Sequence, residues 1–185
     1  MNRTPFAVAP KSANAGFTLV ELCVGLGIVG ALAGQALPAL TKMHQERALR
    51  AVADALGDDL RLARAEAARL SDSVYFRVSG KGAQACYVVY IGNRNDCDCA
   101  GGQAACTAPG SAVIKAEWLP TQHAMRLRSN AETLQFQHRQ GLVTQTGSIE
   151  VSLAGGAGIR QVIAITGRVR HCYSGVKLAG MPKCA

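Results

Sequence analysis

Residues 17–40 contain no lysine, arginine or aspartate, and a single acid, Glu21. As a helix rising about 1.5 Å per residue, this run reaches roughly 36 Å, enough to cross a hydrocarbon core of about 30 Å. The sixteen residues before it carry Arg3 and Lys11 and no acid, a bias that favours a cytoplasmic N-terminus. Everything after Leu40 is then expected on the far side of the membrane. Six of the seven cysteines lie beyond the apolar run, which suits an oxidising compartment. Only Cys23 is inside it, as a small apolar thiol. A cleavable secretory signal places its small-residue cut site after the apolar core. Here the small residues of "SANAG" come before it, so a cut after Gly16 would leave the apolar segment as the mature N-terminus.

An ionised carboxylate inside a bilayer is costly and is by default a functional hypothesis. Glu21 has two readings: an acid that snorkels to the membrane surface, or one that meets a cation. The stretch "GFTLVEL" resembles the type III signal of type IV pilins and type II secretion pseudopilins. The resemblance implies that a prepilin peptidase cuts between Gly16 and Phe17 and methylates the new N-terminal Phe17. It further implies that Glu21 compensates the N-terminal amine of a neighbouring subunit as helices pack into a filament. A buried acid is tolerable when an opposite charge pairs with it. Pro38 matches the proline that often loosens this helix in the family, by removing one helix hydrogen bond.

Beyond the apolar run, Leu49, Val52, Leu56, Leu60, Ala63, Ala67 and Leu70 recur at intervals of three or four, one apolar stripe. Arg50, Asp54, Asp58, Arg61 and Arg64 lie off it and read as a solvated face. From Ser73 onward the texture changes to short runs of branched and aromatic residues alternating with polar ones: "SVYFRV", "ACYVVYIG", "AVIKAEWL", "TLQFQH", "SIEVSL", "RQVIAIT" and "RVRHCY". Residues 93–111, rich in Gly, Ala and Cys without periodicity, read as a long loop. The expected architecture is α+β: a leader over 1–16, a membrane or filament-core helix over 17–40, an amphipathic continuation over 41–70, and an antiparallel β domain over 71–185.

The β region narrows the resemblance. "LQFQHRQGLVTQTGSIEVSL" followed by "GRVRHC" resembles GspH/FimT-type minor pilins and pseudopilins. The formal net charge is +8, and it falls to +6 without Arg3 and Lys11. Residues 17–150 carry 13 basic and 12 acidic side chains, whereas residues 151–185 carry Arg160, Arg168, Arg170, Lys177 and Lys183 and no acid. Localised basicity points to an anionic partner. If "RVRHC" is extended, Arg168 and Arg170 share a face roughly 6.6 Å apart, a spacing that suits successive phosphates. The competing reading is charge that protects an exposed edge strand. "GRVR", with Gly167 as turn residue, matches the GRxR pattern of FimT-type minor pilins that bind DNA in natural transformation. The implied partners are DNA without sequence preference, other major and minor pilins, and the prepilin peptidase. The implied location is a single pass of the inner membrane with the domain in the periplasm, and then a pilus filament at the cell surface. The alternative is a GspH-like pseudopilin or minor pilin that only primes or caps a filament.

Cys86, Cys97, Cys99, Cys106, Cys172 and Cys184 permit several connectivities. A Cys172–Cys184 bond is preferred because it closes a short loop that carries Lys177 and Lys183 beside the arginines, leaving four cysteines to staple the 86–106 region. A metal site at Cys97, Cys99 and Cys106 competes, but "CDCAGGQAAC" lacks a paired CxxC spacing. His44, His123, His138 and His171 have no context that assigns a nucleophile or carboxylate partner, and neither a P-loop nor a dinucleotide fingerprint occurs. No enzyme and no cofactor is expected.

Overall fold

Thr18 starts the first helix. Its Oγ1 accepts the backbone N–H of Glu21 at 3.2 Å, and the T-x-x-E spacing is that of a capping box. Helix α1 then runs Leu19–Leu70 and ends at Ser71, which adopts the left-handed conformation at φ 54°. A computed structural model describes residues 16–121, 124–139 and 141–184. Arg3 and Lys11 of the leader, and His123, lie outside the described residues. The chain divides into two compact units, residues 1–41 and 42–185.

In the first unit, the large apolar side chains of α1 are exposed, among them Phe17, Leu19, Leu26, Ile28, Leu32 and Leu37. They await a lipid or protein environment. Pro38 lies within the helix, and its carbonyl accepts the Thr41 hydroxyl at 2.9 Å.

In the second unit, ten strands follow α1: β1 (Val74–Ser79), β2 (Cys86–Ile91), β3 (Cys97–Asp98), β4 (Ala105–Cys106), β5 (Ala112–Trp118), β6 (Arg126–Ser129), β7 (Thr133–Phe136), β8 (Gly147–Ser152), β9 (Ala157–Ile163) and β10 (Val169–Gly175). They form one sheet ordered β5-β2-β1-β7, a second ordered β10-β9-β8-β6, and the small pair β3-β4. Every strand pairing is antiparallel.

The main core lies between the helix and the inner faces of both large sheets. Leu49, Ala53, Leu56, Leu60, Ala63 and Ala67 of α1 join Phe76, Val89, Leu134, Phe136, Ile149, Ile159 and Ile163 there. The 4-3-4-3-4 spacing of these helix positions is one face of an α-helix. Val52 and Leu70, expected on the stripe, are only half-buried: Ala53 takes the central line beside Val52, and Leu70 is the last residue of the helix.

Two polar groups pin the helix to the sheets. Asp59 is almost fully buried, accepting the Tyr87 hydroxyl and the Lys115 ammonium, each at 2.7 Å. Burial, followed by the bond to Asp59, pushes the Tyr87 phenol far above its usual range. From the other sheet, the Gln161 amide donates to the Ala53 carbonyl at 2.7 Å. Its Nε2 would lie 3.2 Å from a Cβ at Gly57, a tight fit for any larger residue.

The expected long loop over 93–111 is instead a second small core. Disulfides Cys86–Cys99 and Cys97–Cys106 gather Tyr75, Val88 and Tyr90 against the sulfurs, and Cys97 faces Cys106 across the β3-β4 pair. Cross-links supply the order that periodicity did not announce. Strand β6 was not expected either: four residues, "RLRS", give too little alternation to stand out.

Candidate nucleic-acid interface

The segment that carries "GRVR" is a hairpin tip. Strand β9 leads into β10 through Ala164–Arg168, closed by Gly167 N–H to Ala164 O at 2.8 Å and Ala164 N–H to Arg168 O at 3.0 Å. Such a loop needs a left-handed residue at its end, and Gly167 supplies it at φ 72°. Gly167 is also buried, and a Cβ there would collide with the carbonyl oxygen of Gly141. A non-glycine residue therefore meets both a backbone penalty and a steric one.

The register then distributes the arginines. Strand β10 pairs Arg170 with Val162 and Cys172 with Arg160. Strand β8 pairs Glu150 with Arg160, and β6 pairs Arg128 with Glu150 and Arg126 with Ser152. Residues 149, 151, 159, 161 and 163 are buried on the inner face, so these partners occupy the outer one. That face thus carries Arg126, Arg128, Arg160 and Arg170 against the one acid Glu150, among the described residues. Arg160 donates to Glu150 Oε2 through Nε at 2.9 Å and Nη2 at 2.7 Å, so its charge is already largely compensated. Arg126, Arg128, Arg168 and Arg170 are exposed, and none of them forms an ion pair among the described residues. Arg168, expected to share one row with Arg170, also borders a groove of about 440 Å³ against α1, where Arg61 and Arg64 line the opposite wall.

The tail beyond β10 is held from three directions. Cys172 bonds Cys184; Tyr173 N–H donates to Pro182 O and Cys184 N–H to Tyr173 O, at 2.9 and 3.1 Å. Leu178 is buried, and the neighbouring Ala179 carbonyl accepts Arg50 at 2.8 Å. Lys177 and Lys183 are exposed on a tethered segment rather than a free one.

The profile of the family described as type II transport protein GspH matches residues 52–167, more than half of the chain. The chain belongs to the GspH family. These are pilin-like filament subunits rather than enzymes. The match covers the helix stripe from Val52 onward and strands β1 to β9, and ends at Gly167, just before Arg168, Arg170 and strand β10. The type IV minor pilin FimU of Pseudomonas aeruginosa has a similar structure. In one crystal form it is 15% identical, with 66% of this chain and 86% of FimU covered and a TM-score of 0.50. In a second form the identity is 16%, the coverage 66% and 91%, and the TM-score 0.47. At that identity the likeness is one of fold: one long N-terminal helix with antiparallel sheets packed on its second half. Among curated proteins, none matches the sequence.

The remaining expected site residues of this GspH-family chain have simple environments. Gly16 and Phe17 precede the helix and are exposed, and Glu21 occupies the first helical turn, where a negative charge complements the helix dipole. The Cys97, Cys99 and Cys106 sulfurs considered for a metal are all consumed in disulfides. His44 and His171 are exposed and His138 half-buried. Sequence reasoning missed Arg126 and Arg128, because the four residues of β6 alternate too briefly to signal a strand. It also missed Arg61 and Arg64, read only as a solvated face.

Proposed function

We propose that this GspH-family subunit is a minor type IV pilin that binds DNA through the basic hairpin tip around Gly167, Arg168 and Arg170 during DNA uptake. The observation that carries this reading is a pair of exposed, uncompensated guanidiniums at a rigid turn, continuous with an outer sheet face on which arginines outnumber acids. Planar forked donors suit phosphate oxygens, and without base-edge contacts such a surface reads backbone rather than sequence. Lys177 and Lys183 add charge beside it, while Arg160, expected in the same set, contributes less because Glu150 holds it.

The four cations of the hairpin tip and tail, Arg168, Arg170, Lys177 and Lys183, should contribute about −3.6 to the log–log salt slope on duplex DNA, at roughly 0.9 per phosphate. Fluorescence anisotropy with random-sequence duplex over a salt series measures it. Arg168→Gln with Arg170→Gln should remove about 1.8 units of slope and abolish uptake while the melting curve stays in place. An unchanged slope and affinity would remove the DNA-binding reading. A filament-priming or capping role, as pseudopilin or minor pilin, would then stand; the family match, which stops before Arg168, favours that second reading.

Maturation completes the proposal. The prepilin peptidase cuts between Gly16 and Phe17, and Glu21 then meets the N-terminal amine of a neighbouring pilin as the chain leaves the inner membrane for the filament. Mass spectrometry that found a mature N-terminus other than Phe17 would sink this part.

A further inference from the structure

Arg64 sits in a seat made of two glycines. A Cβ at Gly141 would lie 2.9 Å from Arg64 Nε, and one at Gly167 would lie 3.0 Å from Nε and 3.1 Å from Cδ. Both glycines are left-handed, at φ 60° and 72°, so each position disfavours other residues by conformation as well as by space. The two glycines belong to segments tied to each other. Gly141 N–H donates to Gln137 O at 3.0 Å, closing its own turn, and Val143 N–H donates to Ile165 O at 2.9 Å, stitching that turn to the β9–β10 hairpin. The side chain from α1 therefore lies across the hairpin tip where a side chain at either glycine would block it.

Arg64 is exposed and makes no ion pair among the described residues. Arg61, one turn earlier, has Asp58 at 2.6 Å, but both side chains are more than half exposed, and such pairs contribute little. Arg168 closes the groove from the hairpin side. Three guanidiniums thus border one open groove, and the one carboxylate paired to any of them, Asp58, is exposed and outside the lining. Like charges gathered without compensating acids form a ready anion site, and the small floor residues Ala65 and Ala68 leave room for a backbone phosphate to approach.

We propose that Arg61 and Arg64 of α1 form, with Arg168, a phosphate-binding groove that seats the nucleic-acid backbone, so that the helix supplies one wall of the DNA site. This rests on the DNA-binding reading above and adds a second element to it. Gly167 then has two roles: it turns the hairpin, and it leaves open the seat through which Arg64 reaches the tip.

The test uses the full-length protein in a non-ionic detergent, labelled random-sequence duplex, and anisotropy across a salt series. Arg61→Gln with Arg64→Gln should reduce the salt slope by about 1.8 units, so that between roughly 50 and 200 mM salt the wild type loses about twelvefold more affinity than the variant. Arg64→Lys, which keeps the charge but not the fork, should recover most of the slope and part of the affinity. Loss of binding in Arg168→Gln/Arg170→Gln with none in Arg61→Gln/Arg64→Gln would overturn the groove and leave the tail reading intact. The reverse pattern would overturn the tail reading and, because Arg168 is one wall of the groove, the groove as proposed. No loss in either variant, or no binding by wild type, would overturn both. Poly-glutamate that competed with duplex at equal charge would show a general acidic-polymer site and overturn the assignment to nucleic acid.

Discussion

Replacing Cys172 and Cys184 together by alanine removes the bond that closes the C-terminal tail onto β10. The cross-link spans a sequence separation of 12, for which loop-closure entropy of the unfolded chain gives about 2.8 kcal/mol. Two contacts of the tail do not depend on the sulfur. Leu178 is buried in the main core, worth about 1.5–3 kcal/mol, and the Ala179 carbonyl holds Arg50. The native tail should accordingly stay docked near Lys177, while the end near Lys183 loosens. Urea unfolding of residues 42–185, the unit that contains the whole core, should show a loss of about 2–3 kcal/mol and a larger m-value, because the unfolded chain exposes more surface once the loop is open. In a melt the same loss amounts to roughly 8 °C for a domain of this size. DNA affinity should change less than in the arginine variants, with a salt slope reduced by no more than about one unit. A stability loss below about 1 kcal/mol with an unchanged m-value would refute the reasoning, since the bond would then constrain nothing that Leu178 and the strand bonds do not.

Gly167→Ala should destabilise the 42–185 unit by about 1–3 kcal/mol, the left-handed penalty plus strain against the Gly141 carbonyl, and should weaken DNA binding beyond what Arg168→Gln does alone. A folded, equally stable Gly167→Ala protein in the same melts would contradict the steric argument. Alkaline pH should unfold the unit earlier than neutral pH. Burial and then Asp59 raise the Tyr87 phenol, and the hydrogen bond to Asp59 raises Lys115. Above roughly pH 10 the unfolded chain loses these protons and the folded chain keeps them, so stability is full below that range and falls as pH rises through it. A melting temperature constant from about pH 8 to pH 11, or one whose alkaline fall is unaffected by Tyr87→Phe, would count against the buried network.

How much of this was legible in the sequence depends on whether a signal was periodic. The α1 stripe and most long strands announce themselves through spacings of three to four and two. The seven expected strand segments all overlap observed strands. What escaped lacked a period. Asp59 reads as one more charge beside Asp58, and only the partners Tyr87 and Lys115, distant in sequence, make it an interior residue. The 93–111 region is ordered by bonds between sulfurs, whose pairing does not follow from spacing. The outer-face arginines come from β6, β9 and β10 and form one surface only through registers that hydrophobic patterns do not encode across strands. The seat of Arg64 requires knowing that Gly141 and Gly167 meet, which is a tertiary fact.

The sequence left two explanations for Arg168 and Arg170: anion contact, or protection of an edge strand. Strand β10 is the outermost strand of its sheet, so the second explanation has its premise. Yet part of that edge is already occupied. The tail runs beside Tyr173 in a parallel bridge with Lys183, fixed by the Cys172–Cys184 bond, so another strand cannot pair at Tyr173. Arg170 projects from the outer face, beside Val162, and Arg168 borders the groove against α1. The outer face from β10 to β6 crosses three interstrand gaps, roughly 14 Å at about 4.8 Å each. A surface of that width meets several phosphates of a duplex at once rather than one. The uncompensated arginines of this surface belong to the two edges of the sheet, β6 and β10, so edge protection and anion contact are compatible uses of the same side chains, and the proposed duplex lying over the sheet would meet both rows at once.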